Sequence, residues 1–462
     1  MFYEQSQNAL MGGFSYPSLS LDLHLESILA RLQEEGLQLN SEQQTALSLV
    51  ILAHEQTHFL QHCATSFGNA TSIARNEWIS SNIGYIKEWV QKNDSVLFVP
   101  IINSPVADKD TYYLMFSGAA CLSWTGLAWS ETDPYSLGND PISGRNPLDW
   151  FLQLRGWKAP IGQTFPVILT GSFPNKVTNR SLLESAAFTA HRLYGTDPKI
   201  VEQLGPAADH VLAIQQQSGV YLLLERIRKY TQLSELTLLA AADLAMCPPI
   251  DAFGKILDTS ISQWESLYPP WRFKKIIEYL VAESVSSHQL TEPSNYFSWA
   301  DSVSVNLEWP SFTEIMQSVV ASLKENIIED RMKQAWTNGN RQLPLGINIF
   351  GWSSGPSHNS PLIPLFTFAN GTRIAHVQSE SESVEIAFLI HMLTLFDNLI
   401  HGKPVSRHGG YLCGPRHFSI KCPASNERCG LFPGEIPIGC PEASFFENVL
   451  GCSPNNIRIL NQ

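Results

Sequence analysis

The chain reads SEQQTALSLVILAHEQTHFLQHCAT from Ser41 to Thr65, and this stretch predicts a helix over residues 42–65. Ser41 followed by Gln44 is the pattern of a capping box, in which two side chains satisfy backbone N–H groups that a helix start leaves free. Leu47 and Val50 then recur on one side of the helix, which indicates a buried face.

His54 and His58 are four residues apart, so a helix places both imidazoles on one face, one turn apart. They continue the stripe of Leu47 and Val50, and we therefore expect them to point into a shielded site. Two such histidines are typical zinc ligands, and Glu55 stands beside the ion without needing to bind it. From there Glu55 can orient a water at the metal and take its proton, which makes it the candidate general base. The HExxH motif therefore predicts a Zn²⁺ site.

A catalytic zinc ion needs a third protein ligand and one open position. The metzincin class would continue the motif as HxxGxxH, but after His58 the chain reads Phe59-Leu60-Gln61-His62-Cys63-Ala64. The required glycine and the later histidine are both absent, so this class is excluded.

Two carboxylates remain as candidates for the third ligand. Glu77 follows His58 by 19 residues in an Asn-Glu pair like that of thermolysin-like enzymes, although Ser81 stands where those enzymes carry an acidic residue. Glu184 lies in the sequence LLESAA, on a helix predicted over residues 181–194. The small residues after it would let this helix approach the HExxH helix closely, and a buried carboxylate among apolar neighbours needs a partner such as a metal ion.

A resemblance to a known group of proteins favours one of these two. The sequence HEQTHFLQ of residues 54–61, followed by TSFG of residues 65–68, resembles bacterial zincin-like proteins of largely unassigned function. In that group an HExxHxxQ helix is followed, after a loop-rich insertion, by a Leu-Leu-Glu-x-x-Ala helix, and the likeness covers residues 42–195. It implies a gluzincin arrangement in which Glu184 is the third metal ligand.

Sites of this type use a His or Tyr to stabilise the oxyanion that develops during the reaction. His191 follows Glu184 by two helical turns on the same face and is the candidate for this role, with a histidine of the core or surface as the alternative. Tyr194 lies close behind. His62 and Gln61 extend the face of His54 and can support the metal ligands, or simply form a polar face.

Composition limits the class of protein. The chain has 462 residues, of which 44% are hydrophobic and 16% charged, so we expect a folded, core-rich protein. Its net charge of −13 and the lack of a basic cluster argue against nucleic acid as a partner. The sequence contains no run of about 20 uncharged apolar residues, so it predicts no membrane span. The most apolar stretch, residues 384–400, includes charged residues and predicts a buried helix. The first residues lack the pattern of a secretory signal, so a cytoplasmic location is expected.

Five of the eight cysteines crowd the end of the chain, and no CxxC pair occurs. Three interpretations are open for these cysteines. They can bind a second, structural zinc ion together with His408 or His417, they can form disulfides, or they can remain free thiols. These cysteines are Cys413, Cys422, Cys429, Cys440 and Cys452.

Together these features predict a predominantly helical α+β protein with a zincin-like core, formed by the HExxH helix and a small sheet, and a helical C-terminal half. We expect a zincin-like domain over residues 1–250, a helical region over 251–400 and an irregular tail over 401–462. The expected function is a zinc metallopeptidase that hydrolyses a protein or peptide substrate. The alternative is an inactive or regulatory zincin-like metal domain that acts as a protein-interaction module.

Overall fold

The computed structural model of the chain describes a little over half of its residues. These are residues 12–15, 20–23, 25–99, 167–168, 176–208, 219–258, 266–282, 289–337, 341, 343–345, 347, 365–368, 373–374, 446–453 and 456–459. Helices predominate among them, as the sequence predicts. No described helix combines the length and the apolar character that crossing a membrane requires.

Eleven α-helices form the described part of the protein. In chain order they are α1 (Leu25–Glu34), α2 (Ser41–Cys63), α3 (Ser66–Lys92), α4 (Asn179–Gly195), α5 (Pro198–Leu204), α6 (Leu223–Thr231), α7 (Glu235–Ala245), α8 (Pro269–Ala282), α9 (Tyr296–Asn306), α10 (Phe312–Ser322) and α11 (Ile327–Thr337). Short 3₁₀ turns occur at Gly205–Ala207, Gly219–Leu222 and Pro293–Asn295, and a π-helical turn at Phe446–Leu450.

The described strands are short and form three small sheets. They are β1 (Gly12–Ser15), β2 (Ser20–Leu23), β3 (Leu97–Val99), β4 (Val167–Ile168), β5 (Lys176–Val177), β6 (Leu365–Phe368), β7 (Arg373–Ile374) and β8 (Ile457–Ile459). The largest sheet has the order β1-β2-β6-β7, with β2 and β6 parallel and the outer pairs antiparallel. The pair β3-β8 is parallel, and the pair β4-β5 is antiparallel.

The chain divides into two compact units. The first comprises Met1–Ile73, Ser123–Leu137 and Leu152–His376, and the second Ala74–Leu122, Gly138–Phe151 and Val377–Gln462. The helices that carry the HExxH motif and Glu184 both belong to the first unit. The domain boundaries predicted at residues 250 and 400 stay a prediction.

The helix α2 is capped at both ends by side chains. At its start, Asn40 accepts from the backbone N–H of Gln43, and the Gln43 side chain accepts from the backbone N–H of Asn40, both at 3.0 Å. The capping box therefore lies one residue earlier than the predicted pair, and the Gln44 side chain instead donates to the Leu39 carbonyl. At the other end, the Asn69 side chain donates to the backbone carbonyls of residues 62 and 63, in the last turn of the helix.

From Val50 onward α2 is buried on every side. One side packs into an apolar cluster with α1 and α5, and another packs against α11 and the segment around Leu345. The buried histidines and carboxylate of α2 therefore lie in the protein interior, where polar groups require partners.

The helix α4 packs against α2 and presents Glu184 to it. Small side chains follow Glu184 at residues 185–187, and all three are buried, as the close approach of two helices requires. A capping box between Thr178 and Ser181 starts α4 two residues before the predicted start.

Three further sequence patterns predict helices whose bounds differ in the structure. The pattern over residues 207–230 predicts one helix, but a 3₁₀ turn at Gly219–Leu222 precedes α6, and residues 209–218 lie outside the described part.

The pattern over residues 312–335 predicts one helix, but the structure has two, because the Asn326 side chain accepts from the backbone N–H of Glu329 and caps the start of α11. The pattern over residues 264–285 predicts a helix interrupted near Pro269 and Pro270, but these prolines start α8, since proline fits the first helical turn. The helix predicted over residues 384–400 lies outside the described residues.

Candidate metal centre

Three buried side chains from two helices meet at one point. His54 and His58 on α2 bring their Nε2 atoms to 3.2 Å from each other, and Oε2 of Glu184 on α4 lies 3.3 Å from both. This is the group of residues in the described part of the chain that could hold a metal ion. The structure therefore brings together the three residues that the sequence predicts as ligands.

The size of this triangle fits a zinc ion. Ligand atoms about 2.0–2.1 Å from a tetrahedrally coordinated zinc lie roughly 3.3–3.4 Å apart, because that is the edge of the tetrahedron. The three separations of 3.2, 3.3 and 3.3 Å match one face of such a tetrahedron. Two imidazole nitrogens and a carboxylate oxygen are also the donor set of a catalytic zinc site.

Charge is concentrated in this buried site. The ligands are 2–5% exposed. Burial raises the pKa of Glu184, but the two histidines outweigh it and hold the pKa of this carboxyl below its ordinary range. Burial lowers the pKa of His58, but the Glu184 and Glu55 carboxylates outweigh that effect and raise it. The cluster therefore favours a positive charge between its ligands, whether a proton or a metal ion.

The two histidines differ in what their other ring nitrogen contacts. His58 Nδ1 is 2.8 Å from Oε1 of Gln61, one turn further along α2. Metal-binding histidines typically donate this second N–H to an acceptor that orients the ring. His54 Nδ1 is buried and has no hydrogen-bond partner within the described part of the chain.

Glu55 lies beside the three ligands and is 5% exposed. The negative charge of Glu55 raises the pKa of both His58 and Tyr221. Its carboxylate therefore lies close to the cluster without being one of its members. This is the arrangement that the HExxH motif predicts for a general base.

The structure adds Tyr221, a residue that the sequence analysis does not single out. Its ring centre is 6.0 Å from that of His54, and its side chain is half-buried. The charge of Glu184, burial and the charge of Glu55 raise the pKa of Tyr221, while Arg180 lowers it by less. The hydroxyl therefore keeps its proton at neutral pH and can donate a hydrogen bond.

The turn that carries Tyr221 leads directly into α6, whose first turn is hydrogen-bonded to α4 next to Glu184. The backbone N–H of Leu224 donates to Oγ of Ser185 at 2.8 Å. No sequence signal links Tyr221 to Glu184, because 37 residues separate them and the turn lies inside the stretch that predicts a continuous helix. Gly219, which starts the turn, is the one local sign of a break.

His191 is fully buried behind the ligands. Its ring stacks on Phe188 at 5.8 Å between centres and lies 6.2 Å from that of His54. Burial, followed by the neighbouring His54, lowers its pKa to about 3, so the ring is neutral at pH 7. Its predicted catalytic role stays a prediction.

Two further residues considered in the sequence are structural neighbours of the site. Tyr194 packs against the apolar cluster that α2 shares with α1 and α5. His62 is buried on α2, and its backbone carbonyl accepts a hydrogen bond from Asn69.

The other candidate ligand, Glu77, is exposed on α3 and is not a member of the cluster. The possible second zinc site falls largely outside the described residues, since of the five late cysteines only Cys452 is described. Cys452 is a free thiol that contacts the carbonyls of Ser95 and Ser453.

Comparisons with protein-family models, with curated proteins and with solved structures found no match to this chain.

Proposed function

We propose that this chain is a zinc-dependent metallopeptidase that hydrolyses a protein or peptide substrate. The observation that carries the proposal is the buried triangle of His54, His58 and Glu184, whose edges match those of a tetrahedral zinc site. Two histidines of an HExxH helix with a glutamate from a second helix form the ligand set of a gluzincin, so we also propose a zincin-like core.

A bound zinc ion would lower the pKa of a water molecule and polarise the carbonyl of the substrate. Glu55 would take the proton from the attacking water and pass it to the leaving amine. Its place next to His54 in the chain supports this role, because the carboxylate stays close to the ligands without occupying a ligand position.

Tyr221 is the group we propose to stabilise the oxyanion. Its hydroxyl is protonated and lies near both Glu184 and Glu55, so it can donate to the carbonyl oxygen as that atom becomes negative. Tyr221 suits this role better than His191, because Tyr221 is half-buried and a substrate can reach it, whereas His191 is completely buried.

The test combines metal analysis with activity on a broad peptide library. Purified protein should contain one zinc ion per chain, and His58→Ala should lose it. Glu55→Gln should keep the metal and abolish cleavage, because the amide cannot accept the proton. Tyr221→Phe should keep the metal and lower kcat by about 10²–10³, the loss typical of one oxyanion donor. Cleavage by Glu55→Gln at the rate of the unsubstituted protein would refute the mechanism.

A second candidate function is a regulatory or inactive zincin-like metal domain that binds a protein partner. The low exposure of the ligands and of Glu55, at 2–5%, favours it, because a peptide must reach the reacting atoms of a peptidase. A zinc-loaded protein that cleaves nothing in the library, with Glu55→Gln indistinguishable from it, would establish this alternative.

A further inference from the structure

Gln61 makes two buried hydrogen bonds that tie the two ligand helices together. Its Oε1 lies 2.8 Å from Nδ1 of His58, and its Nε2 donates to the carbonyl of Leu183 at 3.1 Å. Leu183 directly precedes Glu184 in α4. One side chain therefore contacts a metal ligand on α2 and the backbone adjacent to the ligand on α4.

We infer that Gln61 is a positioning residue that fixes both the tautomer of His58 and the register of α4 at the metal site. The inference rests on the proposed zinc site and extends it to a residue outside the HExxH motif. It concerns how the ligands are held before the metal arrives, and does not depend on which reaction follows.

The tautomer follows from donor and acceptor chemistry. A backbone carbonyl can only accept, so the atom of Gln61 that faces Leu183 must be the NH₂ group, and the atom that faces His58 must be the amide oxygen. An amide oxygen also only accepts, and His58 must therefore carry a proton on Nδ1. In neutral His58 the lone pair then lies on Nε2, which is the atom that faces His54 and Glu184.

An amide is the side chain that this position requires. A carboxylate could accept from His58, but in its ionised form it cannot donate to Leu183, and it would add a negative charge close to Glu55 and Glu184. An apolar side chain of equal length would make neither bond. Gln61 is 3% exposed, so water does not replace a lost partner freely.

The experiment measures zinc affinity, by competition with a chromophoric chelator, for four variants. Gln61→Met keeps the length of the side chain and removes both hydrogen bonds. Gln61→Glu keeps the acceptor for His58 and, when ionised, loses the donor to Leu183. Thr57→Val is the matched control, because Thr57 is buried on the same helix and, among the described residues, its hydroxyl donates to the Ala53 carbonyl of α2 itself. His58→Ala reports whether the metal occupies the proposed site.

Gln61→Met should weaken zinc binding about 10–100-fold, the effect typical of losing a group that orients a metal ligand. Gln61→Glu, which keeps the acceptor for His58, should weaken zinc binding less than Gln61→Met does, and Thr57→Val should leave it unchanged. The visible spectrum of the cobalt-substituted protein should change in Gln61→Met and not in Thr57→Val. Unfolding midpoints measured with a chelator present separate these effects from a general loss of stability.

The outcomes distinguish this inference from the function on which it rests. If His58→Ala binds zinc as tightly as the unsubstituted protein, the metal site itself is wrong. If His58→Ala loses the metal while Gln61→Met keeps full affinity, only the role of Gln61 is wrong. Should Gln61→Met fail to fold, Gln61→Asn replaces it: its side chain is one methylene too short to reach both partners. Zinc affinity in Gln61→Asn equal to that of the unsubstituted protein would then overturn the inference.

Discussion

Gly68, at the start of α3, allows the backbone of that helix to lie against the end of α2. A Cβ atom at this position would lie 2.1 Å from the carbonyl oxygen of Gln61, 2.6 Å from Cα of His62 and 2.8 Å from its carbonyl oxygen. All three atoms belong to the backbone, so no side-chain rotation relieves the overlap. To reach ordinary contact at 3.4 Å, the two helices must separate by roughly 1.3 Å.

Gly68→Ala should therefore destabilise the protein strongly. Overpacking a well-packed site costs about 1–3 kcal/mol, and contact with rigid backbone places this change at the upper end. The higher helix propensity of alanine returns about 0.5–1 kcal/mol, which leaves a net loss of about 2 kcal/mol. Gly68 lies in a unit of roughly 300 residues, for which each kcal/mol moves the unfolding midpoint by about 1.5 °C, so we expect a fall of about 3 °C.

Gly84 provides the matched control. It lies on the same helix, it is exposed, and a Cβ there would meet nothing within 4 Å. Gly84→Ala should therefore stabilise the helix by about 0.5–1 kcal/mol. The assay is thermal unfolding followed by circular dichroism, with a chelator present so that metal affinity does not enter. Equal midpoints for Gly68→Ala and Gly84→Ala would refute the reasoning.

Two further predictions concern buried charges. Asp243→Asn should cost about 3–5 kcal/mol, because it leaves the buried Arg341 guanidinium without the carboxylate that it contacts at 2.8 and 2.9 Å. Chemical unfolding measures this loss, and Glu225→Gln, which breaks a partly exposed pair with Lys229, should change stability by less than about 1 kcal/mol. In the folded protein the pKa of His191 is about 3, below its ordinary value of 6.5. As the pH falls from 6.5 to 3, the unfolded chain therefore binds a proton at His191 that the folded protein does not, and stability decreases. We expect the metal-free His191→Gln variant to lose less stability across this pH range. An identical pH dependence in the variant would contradict the assigned burial of this ring.

The meeting of the two histidines could be predicted from the sequence because helical spacing is a local property. A separation of four residues places His54 and His58 on one face whatever surrounds the helix. The choice of Glu184 over Glu77 depends instead on which helix packs against α2. Small residues after Glu184 indicated a close approach, and in the structure α4 makes that approach.

The contribution of Tyr221 could not be predicted in this way. It reaches the site because a 3₁₀ turn interrupts what the apolar pattern presents as one helix, and because α6, which directly follows that turn, is hydrogen-bonded to Ser185. A single buried hydroxyl at a tertiary contact leaves no periodic signal. The same limit explains the capping box of α2, since Asn40 and Ser41 are both good N-cap residues and only the folded backbone selects between them.

A metal ion at this site would balance the charge of its buried carboxylates. Glu55 and Glu184 place two carboxyl groups in an interior where His54 and His58 contribute no positive charge when neutral. An uncompensated buried charge is costly, and proteins resolve it with a proton, an ion pair or a metal ion. One divalent cation would balance both carboxylates and satisfy three ligand atoms whose separations already match its coordination shell.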